Sequence, residues 1–292
     1  MIKVGIINNP PSESGYREAN DRDMKSVFTE ENGYDAAFSY SLKNDEQIRA
    51  AEKFLADGVN YLLISPAEPT GWDSFLKKAK EAGVKVILFD REIYADPSLY
   101  ETCIKSDMQI EGEKAVEWLR NKKLPEYNVI HIQGAMGSEA QIGRTAALDK
   151  QFASGKMNKV LQQTATWDEA EAKNIVRSVI ESGRPFNVIY AENDGMAKGA
   201  VAALDEYGIT HGVSGDVIII SFDCNKWALR ELYAGNWNYD GQCSPFQADY
   251  AEEAIRRLEM GDNLPDTMIL EEKGFDAEFL TQDDIAYYGL GE

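Results

Sequence analysis

Val86-Ile87-Leu88-Phe89-Asp90-Arg91 is an apolar strand that runs straight into an acidic and a basic residue. An unbroken apolar run bounded in this way reads as a strand buried on both faces, the kind found in parallel sheets. In open α/β sheets ligands bind beyond the carboxyl ends of the strands. A carboxylate only accepts hydrogen bonds and a guanidinium only donates them. Side by side they bracket a hydroxyl, one taking its proton while the other donates to its oxygen. A neutral, polyhydroxylated ligand needs that pattern repeated around its rim, and this chain repeats it.

Outward from that strand, short β-branched runs recur at residues 3–8, 61–64, 128–133, 187–190 and 217–221. Between them, residues 46–55, 72–82, 110–119 and 197–207 carry apolar residues at helical spacing. Gly58, Gly83 and Gly208 follow helix ends, where a positive φ is commonly required. The alternation predicts parallel sheets with helices on both faces. It runs twice: the first pass ends near residues 102–105, and the second begins with the helix after Ser106-Asp107. A strand at 237–243, a helix at 247–259 and a strand at 267–270 follow. The expected fold class is α/β, with two doubly wound parallel-sheet lobes. No Ser/Pro-rich linker separates them, so close tying is expected. The stretch from Glu271 is acidic and aromatic, has no clear period, and is assigned to the second lobe.

The chain has 292 residues, 43% apolar and 27% charged, enough for two lobes with separate cores. Its 30 basic and 50 acidic residues give a formal charge of -20. Such acidity repels phosphate backbones and argues against a nucleic-acid partner. No apolar run approaches the roughly 20 residues of a membrane span. Residues 2–7 already read as a folded strand rather than a signal peptide, so the chain is either cytosolic or has had a leader removed. Cys103, Cys224 and Cys243 are few, distant and odd in number, and read as small buried hydrophobes rather than a disulfide framework. His131 and His211 lack metal-ligand spacing, and His131 inside a strand reads as a satisfied core imidazole. Neither a metal nor a cofactor is expected.

Gly134-Ala135-Met136-Gly137-Ser138 follows a strand and opens a helix, the place for an anion cradle. It lacks the third glycine of a dinucleotide fingerprint and the Gly-Lys-Ser/Thr of a P-loop, so it reads as a tight turn closing onto a ligand. No G-x-S-x-G nucleophile elbow occurs. What remains is a set of polar residues after strands: Asn8-Asn9, Glu13, Tyr16, Arg17, Asp90, Arg91, Asn193, Asp223 and Gln242, with Arg144 in the helix behind Gly137. Asn and Asp after strands also cap helices. Asp168 and Asp194 read as caps, whereas Asn193 and Asp223 fit capping and binding equally. Tyr16, Trp72 and Trp167 flank loops, where an aromatic plane would receive the C–H face of a sugar ring. Trp167 fits equally well as a hydrophobic staple at a helix start.

Taken in order, Ser12-Glu13-Ser14-Gly15-Tyr16-Arg17, Pro69-Thr70-Gly71-Trp72, Leu88-Phe89-Asp90-Arg91, Ser106-Asp107, Gly134-x-x-Gly137-Ser138, Glu192-Asn193-Asp194 and Ser221-Phe222-Asp223 cover nearly the whole chain. The ordered set resembles the periplasmic sugar-binding proteins of ABC transporters, in the ribose-binding-like (type 1) group shared with the sensor domains of lactose-repressor-type regulators. Within that group it looks closest to the galactofuranose-binding proteins. The resemblance implies two lobes joined by a three-strand hinge, with residues 1–106 plus 243–270 in one and 107–242 plus 271–292 in the other. It implies closure of the lobes on a monosaccharide, delivery to an ABC permease, a monomer, and a periplasmic or membrane-associated extracellular location. The implied ligand shell is Glu13, Tyr16, Arg17, Asp90 and Arg91 from the first lobe, with Arg144, Trp167, Asn193, Asp223 and Gln242 from the second or the hinge. Tyr16 stands where galactofuranose binders tend to carry Trp, and Trp167 where relatives usually have Phe. Gln242 replaces an acidic residue, and Asn8-Asn9 depart from the usual small polar pair.

Two rival readings follow from the same residues. A sugar-sensing module would deliver to a receptor kinase or chemoreceptor, or act as a repressor effector domain. The latter normally needs a basic DNA-binding element, which is missing here. An enzyme would pair Glu13 with Asp90 or Asp223 as acid and base. The neighbouring arginines are expected to lower those carboxylate pKa values and keep both groups ionised, against catalysis.

Overall fold

The computed structural model describes residues 1–291. The chain divides into two compact units, Met1–Ser106 with Ser244–Glu271, and Asp107–Cys243 with Glu272–Leu290. The first unit begins β1 (Ile2–Asn8), α1 (Gly15–Val27), β2 (Tyr34–Tyr40), α2 (Asn44–Ala56), β3 (Tyr61–Ile64), α3 (Asp73–Glu81), β4 (Lys85–Phe89) and β5 (Thr102–Lys105). The second continues with α4 (Met108–Asn121), β6 (Asn128–Gln133), α5 (Glu139–Ala153), β7 (Asn158–Thr164), α6 (Glu169–Glu181) and β8 (Val188–Ala191). It goes on through α7 (Asp194–Glu206), β9 (Ile218–Phe222), α8 (Lys226–Tyr233) and β10 (Tyr239–Gly241). The chain then returns α9 (Ala248–Glu259) and β11 (Thr267–Ile269) to the first unit. It ends with β12 (Gly274–Asp276) and α10 (Gln282–Tyr288) in the second.

Each unit holds one six-stranded sheet, in the order β2-β1-β3-β4-β5-β11 in the first and β7-β6-β8-β9-β10-β12 in the second. The first is wholly parallel, while β12 departs from the expected pattern by lying antiparallel to β10. Both sheets reverse their order between the first strand and its third-strand neighbour, the switch point at which doubly wound folds place ligands. Side chains alternate across each sheet with the two-residue period of a strand. On β3 and β4, Tyr61, Leu63, Ile87 and Phe89 enter one core, while Leu62, Ile64, Val86 and Leu88 enter the other. On β6 and β8, Ile130, Ile132 and Ile189 face one layer of helices, and Val129, Val188 and Tyr190 face the opposite one. Both faces are covered, which is why the central strands read as unbroken apolar runs.

Trp72 departs from its sequence reading. It is fully buried in the core between α3 and the sheet, packs edge-on against Phe75 at 6.1 Å, and donates its indole N–H to the Glu68 carbonyl at 3.1 Å. It therefore supports the loop after β3 from below and offers no ring face to a ligand. Truncating so large a buried ring leaves a cavity, so Trp72→Ala is expected to lower unfolding free energy by about 3–5 kcal/mol in urea denaturation.

Candidate functional site

In the first unit, Ser14 caps α1 by accepting the Arg17 N–H at 3.2 Å, which sets Tyr16 and Arg17 in the first turn beside the end of β1. Arg17 is only 3% exposed, and its whole fork is occupied. Nε donates to Glu13 Oε2 at 3.1 Å, Nη1 to Asn8 Oδ1 and Ser65 Oγ at 3.3 Å each, and Nη2 to Asp90 Oδ2 at 2.5 Å. Asp90 lies just past β4 with φ 65°, in the left-handed region that Asp tolerates better than most residues. Its other oxygen accepts the Tyr16 hydroxyl at 2.9 Å, and that hydroxyl accepts Gln247 Nε2 at 2.9 Å. Burial alone would raise the Asp90 carboxyl. Arg17, Arg91 and the Tyr16 hydroxyl outweigh it and hold the group below the usual carboxylate range. Arg91 Nε stands 3.6 Å from Asp90, and the Arg91 side chain is 44% exposed. Arg17 is thus an interior cation that aims Glu13 and Asp90, while Arg91 is the solvent-facing donor.

The second unit repeats the scheme with its own residues. Arg144, 2% exposed on α5, donates from Nε to Glu111 Oε2 at 2.8 Å and from Nη1 to the Glu192 carbonyl at 2.5 Å. Its Nη2 reaches Asp223 Oδ1 at 3.0 Å, and the guanidinium lies over the Phe222 ring at 4.8 Å. Asp223 follows β9 with φ 106°. β6, β8 and β9 occupy in this sheet the positions of β1, β3 and β4 in the other. Arg144–Asp223 is therefore the topological counterpart of Arg17–Asp90. Glu111 comes within reach because α4 and α5 meet at glycines: a Cβ on Gly143 would stand 2.5 Å from Met108, and one on Gly112 3.0 Å from the Arg144 backbone.

The electrostatics of the second group differ from expectation. One guanidinium is shared between the buried Glu111 and Asp223, whose side chain keeps 33% exposure, and desolvation exceeds its effect on both. Asp223 is accordingly raised rather than lowered, and Glu111 is pushed up to about 8. Arg144 itself, despite burial, is held well above its ordinary value by Glu111 and Asp223, so it stays charged.

The other sequence candidates fall out unevenly. Asn193 caps α7, its Oδ1 accepting the Met196 N–H at 2.8 Å, which leaves its amide N–H2 as the group it can offer a ligand. Asp194, read as a cap, is instead fully buried and accepts two donors from Asn225. Asp168 does cap α6. Trp167 precedes that cap at φ 69° and packs against the core. Its ring lies so close over Gly134 that a Cβ there would come within 1.9 Å of the indole, which is why the 134–138 turn opens with glycine. Gln242 lies just past a strand shorter than expected, and it pairs with Lys273 through both backbone and side chain, N to O at 2.8 Å and Oε1 from the Lys273 N–H at 3.0 Å. It ties two chain segments together. Cys103 and Cys224 are buried and Cys243 half-buried, and none of the three is in a disulfide. His131 is a satisfied core imidazole: Gln162 donates to Nδ1 at 3.1 Å, so Nε2 carries the proton toward Glu192 Oε1 at 2.9 Å.

Ser65, Glu111 and Gln247 escaped the sequence reading, and Glu192 entered it only as part of the Glu192-Asn193-Asp194 motif. Ser65 and Glu192 stand directly after β3 and β8, where a search of every strand end would have found them. Glu111 acts from within α4 and Gln247 from the residue just before α9, and no local signal marks them.

Residues 4–261 match the family described as periplasmic binding protein domain. The chain belongs to that family. Among periplasmic binding proteins it is 32% identical to the fructose import binding protein FruE of Bifidobacterium longum (strain NCC 2705), over 94% of this chain and 84% of that one. It is 29% identical to the galactofuranose-binding protein YtfQ of Escherichia coli (strain K12), over 89% and 83%. Among solved structures, the binding component of the arabinose ABC transporter from Shewanella sp. ANA-3, bound to α- and β-L-arabinofuranose, superposes with TM-score 0.78. It shares 30% identity over 98% of this chain and 93% of that one.

Arg17→Leu in this periplasmic binding protein removes the cation and leaves Glu13 and Asp90 in place, so unfolding free energy is expected to fall by about 3–5 kcal/mol. A depressed folded pKa contributes stability above the ordinary carboxylate range and loses it as pH falls through the folded value. Urea melts between about pH 7 and about pH 3 should show that acid loss in the wild type and a much weaker one in the variant.

Proposed function

We propose that this chain is the solute-binding protein of an ABC importer for a monosaccharide in furanose form. The duplicated arginine–aspartate constellation carries the reading, set against the fructose, galactofuranose and arabinofuranose named for its relatives. Each unit contributes one constellation to a single sugar. Glu13, Asp90 and Asp223 accept from hydroxyls, while Arg91 and the Asn193 amide donate, and Tyr16 and Trp167 supply apolar ring contact. Sugar stabilises a closed arrangement because only there does it touch both sets at once. Specificity follows from the buried partners, since an analogue lacking one hydroxyl leaves a polar group unpaired. In this reading Arg17 and Arg144 do not touch sugar but keep the carboxylates aimed, and Gln242 acts through its tie to Lys273.

The protein works outside the cytoplasmic membrane and hands its sugar unchanged to a permease. Among the described residues no helix is long and apolar enough to cross a membrane. No nucleic acid or cofactor takes part, and the protein acts as a monomer.

A thermal-shift screen against D-fructose, L-arabinose, D-ribose, D-galactose and myo-inositol tests the reading. A ligand at about 100 times its dissociation constant stabilises by about 2.7 kcal/mol. One strong hit, recovered chemically intact after long incubation, is the expected outcome. A conversion product would make the chain an enzyme instead. With the hit in hand, Asp90→Ala and Arg91→Ala should each weaken calorimetric affinity at least about tenfold, the loss of one charge-assisted hydrogen bond. Unchanged affinity in both variants would remove them from the site.

A further inference from the structure

Behind Asp223 the backbone is strained. Asp223 and Cys224 are consecutive non-glycine residues at φ 106° and φ 58°. Such conformations persist only where the surroundings over-determine them. Here two buried carboxylates do so. Asp240, in the middle of β10, accepts the Cys224 N–H through Oδ1 at 3.2 Å. Asp194, first residue of α7, accepts the Asn225 N–H at 2.8 Å and its Nδ2 at 3.0 Å, both through Oδ2. Both residues are 0% exposed.

The remaining oxygens, Asp194 Oδ1 and Asp240 Oδ2, have no hydrogen-bond partner among the described residues. The two carboxyls accept the adjacent backbone N–H groups of Cys224 and Asn225, which brings them to one turn where the charge of Asp194 raises Asp240. Around them stand Asp223 and the Cys224 thiol from the turn, Asn225, Ser221 from β9 in register with Asp240, and the Tyr239 ring. The Ser221 hydroxyl lies beside Asp194 without reaching hydrogen-bond geometry. Arg144 bears on the group through Asp223, which it bonds. Two ionised carboxylates are acceptors only and cannot satisfy each other. In a buried place they also repel strongly, and a single proton removes both problems.

We propose that Asp194 and Asp240 hold one proton in common, as an Asp240 Oδ2–H donated to Asp194 Oδ1, and that this acid pair positions the 223–225 turn and with it the sugar-binding carboxylate of Asp223. Asp194 is the ionised partner because it has two donors and the positive end of α7, whereas Asp240 has one donor. The assignment rests on the sugar-binding reading only for the role of Asp223; the shared proton stands without it. Burial and the neighbouring Asp223 raise both carboxyls, Asp240 the more strongly, so the proton the pair shares is held well above the ordinary carboxylate range. A raised carboxyl contributes stability that is complete at acid pH and is lost as pH rises through the folded value. Alkaline pH should therefore loosen the turn and weaken sugar binding.

Asp240→Asn and Asp240→Ala test this in the full chain. Asn keeps an N–H donor toward Asp194 and an oxygen for the Cys224 N–H without a titrating proton, whereas Ala keeps neither. Infrared spectra of the sugar-free protein at about pH 6 should show a protonated-carboxyl stretch in the wild type that is missing in Asp240→Asn. Subtraction of the two cancels the contribution of Glu111. From about pH 6 to about pH 9 the wild-type folding constant should fall at least about tenfold further than that of Asp240→Asn, while Asp240→Ala is weakened throughout. Calorimetry with D-fructose and L-arabinose should reproduce that order, with affinity declining toward alkaline pH in the wild type and the Asn variant resisting it. Identical infrared spectra, or parallel pH profiles in wild type and Asp240→Asn, would overturn the shared proton. A spectrum and profile as expected, with no heat from either sugar, would instead count against the sugar-binding reading and leave the acid pair standing.

Discussion

A guanidinium buried beneath the carboxylates it orients is the interaction on which both units are built. Arg17 and Arg144 have no solvent of their own and must be paid for by full hydrogen bonding, which each obtains from a carboxylate on its own side and an aspartate past the fourth strand of its sheet. Those aspartates stand in left-handed backbone, the conformation that turns their oxygens back over the strand ends. The cations let a chain of formal charge -20 gather acceptors at two strand edges without the edges repelling themselves apart. Removing either arginine would strand its carboxylates, so stability draws on these bonds, and in the proposed reading affinity draws on them too.

The two copies are alike in topology and unlike in charge. Asp90 has two arginines and one tyrosine hydroxyl, and its ionised form wins against burial. Asp223 shares one arginine with Glu111, and burial wins. The expectation that neighbouring arginines would depress the paired carboxylates holds at Asp90 and fails at Asp223, because it counted cations without counting the carboxylate that competes for Arg144. A reading of strand ends registers Asp223 and Arg144, but Glu111 enters from α4 only because Gly112 and Gly143 let two helices approach.

Much of the architecture was legible because strands buried on both faces leave unbroken apolar runs, and the segments between them carry helical spacing. The edge strands β2 and β7 were not, since one flank of each meets solvent and their sequences mix polar and apolar residues. The short antiparallel β12 and the helix α10 lie in an acidic stretch whose pattern spans too few residues to show a period. Trp72 was misread for a related reason: a loop-flanking position says nothing about whether a ring turns outward or down into the core. Asp194 reads as a cap and Asn193 as cap or ligand alike, yet it is the asparagine that caps the helix and the aspartate that is buried one residue later. Capping statistics cannot separate adjacent residues of that kind.

The division of the chain also has a consequence for biogenesis. The first unit lacks α9 and β11 until residues 248–269 have been made, so its sheet is one strand short while residues 107–243 of the second unit are being synthesised. Its last strand pairing, β11 with β5, spans more than half the chain, and long-range parallel pairings of that kind form slowly. A nascent chain therefore cannot lock its amino-terminal half early. Until nearly all of the chain exists, β5 presents an unpaired edge that only the late-made β11 can cover.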